Sequence, residues 1–441
     1  MAEPAPSGEH RTPLEGPGAE AEYLPFALPD VTDDEVEAVV AVLRSGWITT
    51  GPRAKELEER FAEAVGARHC VAVNSCTAAL HLALEAAGVR AGDEVIVPTL
   101  TFAATAEVVQ HLGAIPVLVD VRSSDHNVDP AAVARAITRR TRAIVPVHFA
   151  GVPADMDELG AIARGHGVAL VDDAAHAFPA RYRGRDVGTL GDATCFSFYA
   201  TKTITTAEGG AVVTAREDWA ERMRIMSLHG ISRDAWKRYT RAGTWRYEIL
   251  APGFKYNLPD LAAALGLVQL RRARAMWARR QAIASRYDEA FVDEDALELL
   301  DVRPDRTTAH HLYVVKLAPG TLDVDRDGFL DALRARGVGA SVHFIPLHEH
   351  PWYRDAFGHR PEDLPVARDV AGRSVSLPIY SAMSDAQVER VVTAVLDTVA
   401  RHRLHAAGDV PRPASVSRRE PWPTDATRPA PIAGAGEPPG A

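Results

Sequence analysis

The sequence predicts an α/β fold in which a mostly parallel central sheet is covered by helices and followed by a smaller α+β C-terminal domain. Three observations carry this. Between about residues 52 and 215, short apolar β-rich runs alternate with helical stretches. The runs do not alternate apolar with polar, as expected for strands buried on both faces. Beyond residue 260, a long helical segment leads into a different mixture of strands and helices.

The elements follow in order. Residues 1–20 are rich in Pro, Gly, Ala and Glu. Such a segment buries too little apolar surface to offset its ordering entropy, so a disordered extension is expected. It has no basic n-region or apolar h-region and is not read as a signal peptide. Gly51-Pro52 opens a helix with Leu57, Phe61 and Val65 at helical spacing. Strands are read at Val95–Val97, Pro116–Val119, Ala143–Val147, Ala169–Val171, Cys195–Phe198 and Ala211–Val213. Helices at Ala78–Ala87 and Met156–Arg164 fall between them, and the crossovers should be right-handed. A long helix starts near Asp260, with Leu261, Leu265 and Val268 on one face, and runs to Tyr287. Its basic run, Arg271-Arg272-Ala273-Arg274, is read as a solvated helix face. The large domain with its N-terminal arm is set at 21–270 and the small one at 271–405. The small domain should hold a strand at Leu312–Leu317, a helix at Asp327–Gly337, a strand at Val342–Leu347 and a helix at Gln387–Val399. Residues 406–441, with Pro-Arg-Pro and Pro-Trp-Pro runs, are read as a disordered tail.

Composition narrows the function classes. The formal charge is -10, so no basic surface for nucleic acid is implied. The three cysteines, Cys70, Cys76 and Cys195, form no CxxC pair, which argues against a disulfide framework and a cysteine-rich zinc site. A reducing, cytoplasmic setting fits. No apolar run reaches the length of a membrane span, so no membrane partner is expected.

The chemistry centres on Lys202. The apolar strand Phe196-Ser197-Phe198 runs into a polar turn that carries this lysine and then Gly209-Gly210. An amine held at a strand end in a buried setting can lose its proton and form a Schiff base with pyridoxal phosphate. A lysine pointing into water is the plain alternative. The cofactor would need four further partners. Val171-Asp172-Asp173-Ala174-Ala175-His176 offers two carboxylates at a strand end for the ring nitrogen; an Asp there can equally be a helix cap. Val73-Asn74-Ser75-Cys76-Thr77 is a small polar turn opening a helix, suited to a phosphate or to an ordinary Ser/Thr cap. Ser197 can add a hydroxyl. Phe102, after Pro98-Thr99-Leu100-Thr101, can cover the ring by stacking or be a core residue, and His176 can bond the phenolic oxygen or be a structural histidine.

Several stretches, in order, resemble the DegT/DnrJ/EryC1/StrS family of pyridoxal-phosphate sugar aminotransferases. They are SGWITTGP (45–52), NSCTAALHLAL (74–84), GDEVIVPTLTFAATA (92–106), PVHFAGVPADMDEL (146–159), VDDAAHAF (171–178), FSFYATKTITTAEGG (196–210), GFKYNLPDLAAALGLVQL (253–270) and SVHFIPLH (341–348). The resemblance implies the aspartate aminotransferase (type I) fold and a homodimer with active sites at the interface. It implies that Lys202 carries the cofactor and shuttles protons, and that Asp173 partners the ring nitrogen. His176 would contact the ring oxygen and Phe102 would stack. Ser75, Cys76, Thr77 and Ser197 would bind phosphate, joined by Asn257 from the second subunit. The chain departs from the family where glycine often stands at Cys76 and asparagine often follows the lysine, here Thr203. Neither change removes a required group.

The implied activity moves an amino group from glutamate or glutamine to a nucleoside-diphosphate keto sugar. The Lys255/Asn257 form of GFKYNL resembles the branch acting on 4-keto sugars, which implies amination at C4. Trp47, Thr49, Thr50, His229, His343 and His348 are expected to line the sugar site. His343 and His348 lack clustered carboxylate partners, so no metal is expected. A sugar dehydratase of the same family would carry histidine in place of Lys202. A keto-cyclitol aminotransferase would share the cofactor site. A non-catalytic cofactor-binding regulator is the third alternative, and the complete set of catalytic groups argues against it.

Overall fold

The strands, in chain order, are β1 (His69–Val73), β2 (Glu94–Pro98), β3 (Ile115–Val119), β4 (Thr141–Ile144), β5 (Ala169–Asp173), β6 (Arg181–Tyr182), β7 (Arg185–Asp186), β8 (Ala193–Ser197), β9 (Gly210–Thr214), β10 (Leu297–Leu299), β11 (Arg306–Thr307), β12 (Tyr313–Leu317) and β13 (Ser374–Leu377). The helices used below are α1 (Asp33–Ser45), α2 (Pro52–Ala64) and α3 (Cys76–Ala86), then α4 (Ala104–His111), α5 (Pro130–Ala136), α6 (Met156–His166), α7 (Glu217–Ser227) and α8 (Asp260–Phe291). The computed structural model describes residues 23–232 and 247–404. The extension expected at 1–20 and the tail expected at 406–441 lie outside the described residues.

Seven strands form the central sheet in the order β1-β9-β8-β5-β4-β2-β3. Only β9 runs against its neighbours; the pairs β8-β5, β5-β4, β4-β2 and β2-β3 are parallel. The composition of the strands explains this. All five residues of β2 and of β9 are buried, as a sheet covered on both faces requires. α3 packs on one face, with Ala79, Leu82 and Ala83 fully buried against Val71, Val97 and Cys195. α2 packs on the other, where Leu57 and Phe61 meet Phe196, Phe198 and Val213. Burying a leucine or phenylalanine fully contributes about 1.5–3 kcal/mol.

The topology positions the site. β1, β2, β5 and β8 run the same way, so Val73, Pro98, Asp173 and Ser197 end at one edge, where β9 begins at Gly210. In open α/β sheets, ligands bind beyond such carboxyl ends.

A second core surrounds the antiparallel sheet β10-β12-β13. α8 serves both cores. Its Ala263 and Ala273 pack with Leu57 and Phe61, whereas Ile283, Tyr287 and Phe291 pack with Tyr313 and Val315. The boundary expected at residue 270 therefore falls inside a continuous helix. Asp260 does a second job at its start: its carboxylate accepts from the backbone N–H groups of Gly51 at 2.8 Å and Ala54 at 2.9 Å, capping α2.

One element differs from expectation. Val342–Leu347 is not a strand. Only Ser341 bridges Ser376 of β13, and a short 3-10 turn starts at Leu347. Pro346 has no N–H to give a ladder, and the segment instead leaves the sheet and places His343 and Phe344 beside the lysine pocket.

Candidate active site

β8 leads into a folded turn. Phe198 donates its N–H to Gly209 O and accepts at its carbonyl from Thr206 N, both at 2.9 Å, and the Lys202 N–H reaches Tyr199 O. This brings the Lys202 amine back over the sheet edge. Burial lowers its pKa to about 8; Cys76 and Asp173 oppose that shift and Arg280 adds to it. A lysine with this pKa is partly uncharged near neutrality and can act as a nucleophile or base.

The two adjacent carboxylates separate by strand alternation. Asp173 turns toward the lysine. Its Oδ2 accepts from Thr105 Oγ1 at 2.8 Å and its Oδ1 from Ala175 N at 3.1 Å. Asp172 turns away, accepts from Thr194 Oγ1 at 3.0 Å, and sits where a Cβ on Gly191 would come within 2.4 Å of its Oδ1. Burial pushes Asp172 up to about 8 and also raises Asp173, which Thr105, Ala175 and Lys202 counteract.

The turn before α3 makes a cradle. Ser75 caps the helix, its Oγ accepting from Ala78 N at 3.0 Å, and its carbonyl accepts from Ala79 N. The first-turn N–H groups of Cys76 and Thr77 have no acceptor within the helix. Gly210 lies against them: a Cβ there would stand 2.7 Å from Cys76 N and 2.6 Å from Phe196 O. Ser197, which pairs with Gly210, closes the side.

Histidines form the remaining wall. The His176 and His311 rings are 4.3 Å apart, and His311 Nε2 is 3.3 Å from Lys202 Nζ. His343 shares a 2.9 Å hydrogen bond with Ser376 Oγ. Burial, then the Lys202 charge, holds all three below the usual histidine range, with His343 near 4. Phe344 lies 5.9 Å from His176, nearly parallel to it, and 6.2 Å from Phe102, which is exposed at the mouth.

The structure thus brings together Lys202, Asp173, His176, Cys76 and His343, with Ser75, Thr77, Ser197 and Phe102 at the same sheet edge. Asn257 and Thr50 belong to another group. Asn257 Nδ2 donates to Thr50 Oγ1 at 2.6 Å, Lys255 Nζ donates to Asn257 Oδ1, and Trp47 Nε1 donates to Thr50 O. Thr50 and Asn257 line a cleft of about 550 Å³ whose walls do not include Lys202, Asp173 or His176. Thr49 and His229 are exposed, His229 with a positive φ of 57°. His348 does not fit its expected role. It is fully buried, with Nδ1 bonded to Thr99 Oγ1 and Nε2 near Pro361 O, so neither ring nitrogen is free for a ligand.

Sequence reasoning missed Thr105, Arg280, His311 and Phe344. Thr105 and Phe344 lie inside stretches already singled out, so position was the available signal. Arg280 sits mid-helix and His311 in an irregular segment, with no local pattern to mark either.

These residues fit pyridoxal phosphate. The cradle at Gly210 admits no Cβ, the Cys76 and Thr77 N–H groups suit a phosphate, and His176 Nδ1 is buried without a partner among the described residues.

Comparisons agree. The pattern of the DegT/DnrJ/EryC1/StrS aminotransferase family matches residues 29–396. The chain is 47% identical over 378 residues to the spore coat polysaccharide biosynthesis protein SpsC of Bacillus subtilis (strain 168), covering 86% of this chain and 97% of that one. Spr1654 from Streptococcus pneumoniae, assigned as a sugar aminotransferase and solved in PLP and PMP forms, superposes with a TM-score of 0.80. Its PMP form is 34% identical, over 86% of this chain and 99% of that one. S. venezuelae DesV superposes with a TM-score of 0.77 at 35% identity, over 86% and 99%. The chain belongs to the DegT/DnrJ/EryC1/StrS family and is a sugar aminotransferase of the type I fold that depends on pyridoxal phosphate.

Proposed function

We propose that the enzyme takes an amino group from glutamate or glutamine and places it at C4 of a keto sugar carried on a nucleoside diphosphate. The observation that carries the site assignment is the half-buried Lys202 amine, brought to a pKa of about 8 beside the Asp173 carboxylate. The C4 preference rests on the Lys255 and Asn257 pair, which resembles the 4-keto-sugar branch.

Pyridoxal phosphate, when bound, supplies an electron sink for the substrate carbon that loses its proton. The chain does the rest. Lys202 would hold the cofactor covalently and, once freed, take the proton from the donor carbon and later return one to the sugar carbon. Asp173 would keep a negative charge against the ring nitrogen, with Thr105 and the Ala175 N–H fixing both of its oxygens. Cys76 and Thr77 would give their first-turn N–H groups to the phosphate, with Ser75 and Ser197 beside them. His176 would orient the ring oxygen and Phe102 would cover the ring face. Trp47, Thr49, Thr50, His229 and His343 remain the proposed sugar-side group.

The same reading makes the protein a cytoplasmic homodimer in which Asn257 serves the other subunit's site. Its support is that Asn257 lines a cleft apart from its own Lys202. It also keeps a division into a large and a small domain, with the change of core along α8 as support. No described helix is long and apolar enough to cross a membrane.

The test is a screen of nucleoside-diphosphate keto sugars against the pyridoxamine-phosphate-loaded protein, with mass detection of product. A 4-keto sugar should gain an amine. Amination of 3-keto sugars alone would refute the C4 assignment, and amination of keto-cyclitols alone would refute the nucleotide-sugar reading.

A further inference from the structure

His311 is fully enclosed, and nothing in the mechanism above uses it. It sits with Nε2 at 3.3 Å from the Lys202 amine, and its Nδ1 has no partner among the described residues. The placement is built rather than incidental. The buried Arg280 guanidinium donates to the carbonyls of Ile379 at 2.7 Å and of His310 and His311 at 3.3 Å. Its other nitrogen points at the carbonyl of Thr201, one residue before the lysine, at 3.4 Å. One side chain from α8 therefore ties the lysine turn to the His311 segment. The carbonyl of Ala150 fixes that segment from the other side by accepting from His311 N at 3.1 Å.

We propose that His311 is a positioning residue for Lys202: its neutral imidazole holds the free amine through Nε2 whenever that amine is not bonded to cofactor. A neutral imidazole suits this task because it can donate or accept at the same nitrogen, according to tautomer. It accepts from a charged amine and donates to an uncharged one. A carboxylate in its place would favour only the charged amine. The groups facing the lysine are Cys76, Asp173, Arg280, His176, His343 and His311 itself. His343 is engaged with Ser376, and His176, proposed to orient the ring oxygen, has no bond to Nζ among those described, which leaves His311 as the histidine bonded to Nζ.

The inference rests on Lys202 being the cofactor lysine, and the experiment separates the two. Full-length protein freed of cofactor is mixed with pyridoxal phosphate, and capture is followed by absorbance from pH 6 to 10, without turnover. The wild-type rate should rise with pH through a midpoint near 8 to a plateau. His311→Phe keeps the ring volume and removes the nitrogen; His311→Gln keeps a nitrogen near the Nε2 position. The Phe variant should lose about tenfold in plateau rate, the scale of one hydrogen bond to a polarised group. Its midpoint should stay near the wild-type value, because the charged amine loses an acceptor and the uncharged amine a donor. The Gln variant should recover most of the plateau. A Phe variant within twofold of wild type would overturn the proposal, and so would a Phe variant faster than the Gln variant, since packing alone gives that order. If the Phe variant does not fold, His311→Leu is read in the same way. Lys202→Ala is the control: capture that survives it removes the lysine assignment, whereas loss there with an unaffected His311→Phe removes only the role of His311.

Discussion

The lysine pocket and the Thr50–Asn257 cleft both flank β1, yet the Lys202 cluster and the Thr50–Lys255–Asn257 cluster are built in opposite ways. In the pocket, polar groups are enclosed, and burial moves Lys202, His176, His311 and His343 from their ordinary titration ranges. Two of its buried imidazole nitrogens have no partner among the described residues. In the cleft, Asn257, Lys255 and Thr50 satisfy one another, and Thr50 Oγ1 also reaches Leu258 O at 2.6 Å. Enclosed, unspent groups store the capacity for proton movement and ligand bonding. Open, mutually satisfied groups shape a surface. On the proposed function, the pocket would set whether the reaction proceeds and the cleft would set what is brought to it.

The strongest way to break this comparison is to remove the lysine. Lys202→Ala should lower transamination by about a thousandfold or more, the range expected when a group serves as both attachment point and proton carrier. The visible absorption of the bound cofactor should change with it. Steady-state rates and a spectrum check both. Activity within tenfold of wild type would leave the pocket without its chemistry.

The adjacent aspartates sharpen the comparison further. Asp173→Asn removes the charge proposed to face the ring nitrogen and should cost about a hundredfold in kcat/KM, on the scale of losing one preorganised electrostatic group. Asp172→Asn should change kcat/KM less than threefold, because Asp172, pushed up to about 8, already carries a proton near neutrality. Its effect belongs to stability. The folded pKa of Asp172 lies above the unfolded value, so the folded state binds more protons between about pH 4 and pH 8. Its contribution is full below pH 4 and lost as pH rises through 8. Urea unfolding should therefore show stability falling across that window in the wild type and a flatter profile in Asp172→Asn. Equal kinetic losses in the two variants would show that strand alternation does not divide their roles.

Much of this was legible in the sequence because it is written in short local patterns. The apolar runs of β2, β5, β8 and β9 were found within a few residues, since strands buried on both faces cannot hide their composition. Lys202, Asp173 and the Ser75–Thr77 turn stand at strand ends, where a change from apolar to polar marks them. What the sequence hid depends on tertiary contact. His311 reaches the lysine from 109 positions away, and Arg280 bonds the lysine turn from mid-helix. Val342–Leu347 has strand composition but forms no ladder; the chain bridges β13 only just before it, at Ser341, and then turns to the pocket. His348 looked like a site histidine beside His343, but the fold spends both of its nitrogens on Thr99 and Pro361.

The smallest expected effect lies in the cleft. Thr50→Val keeps shape and removes the hydroxyl that accepts from Asn257 and donates to Leu258 O. Each lost bond is worth about 1 kcal/mol, and the side chain is half-buried, so water can replace part of the loss. The donor half-reaction, measured alone with glutamate, should stay within twofold of wild type, because no group that moves a proton is touched. The sugar half-reaction should show its KM raised about threefold with kcat held, the signature of lost uniform binding. A fall in kcat for both half-reactions would place Thr50 among the chemical groups and erase the distinction between the two regions. An unchanged KM would instead mean that this face of the cleft supports α2 and the start of α8 without meeting the sugar at all.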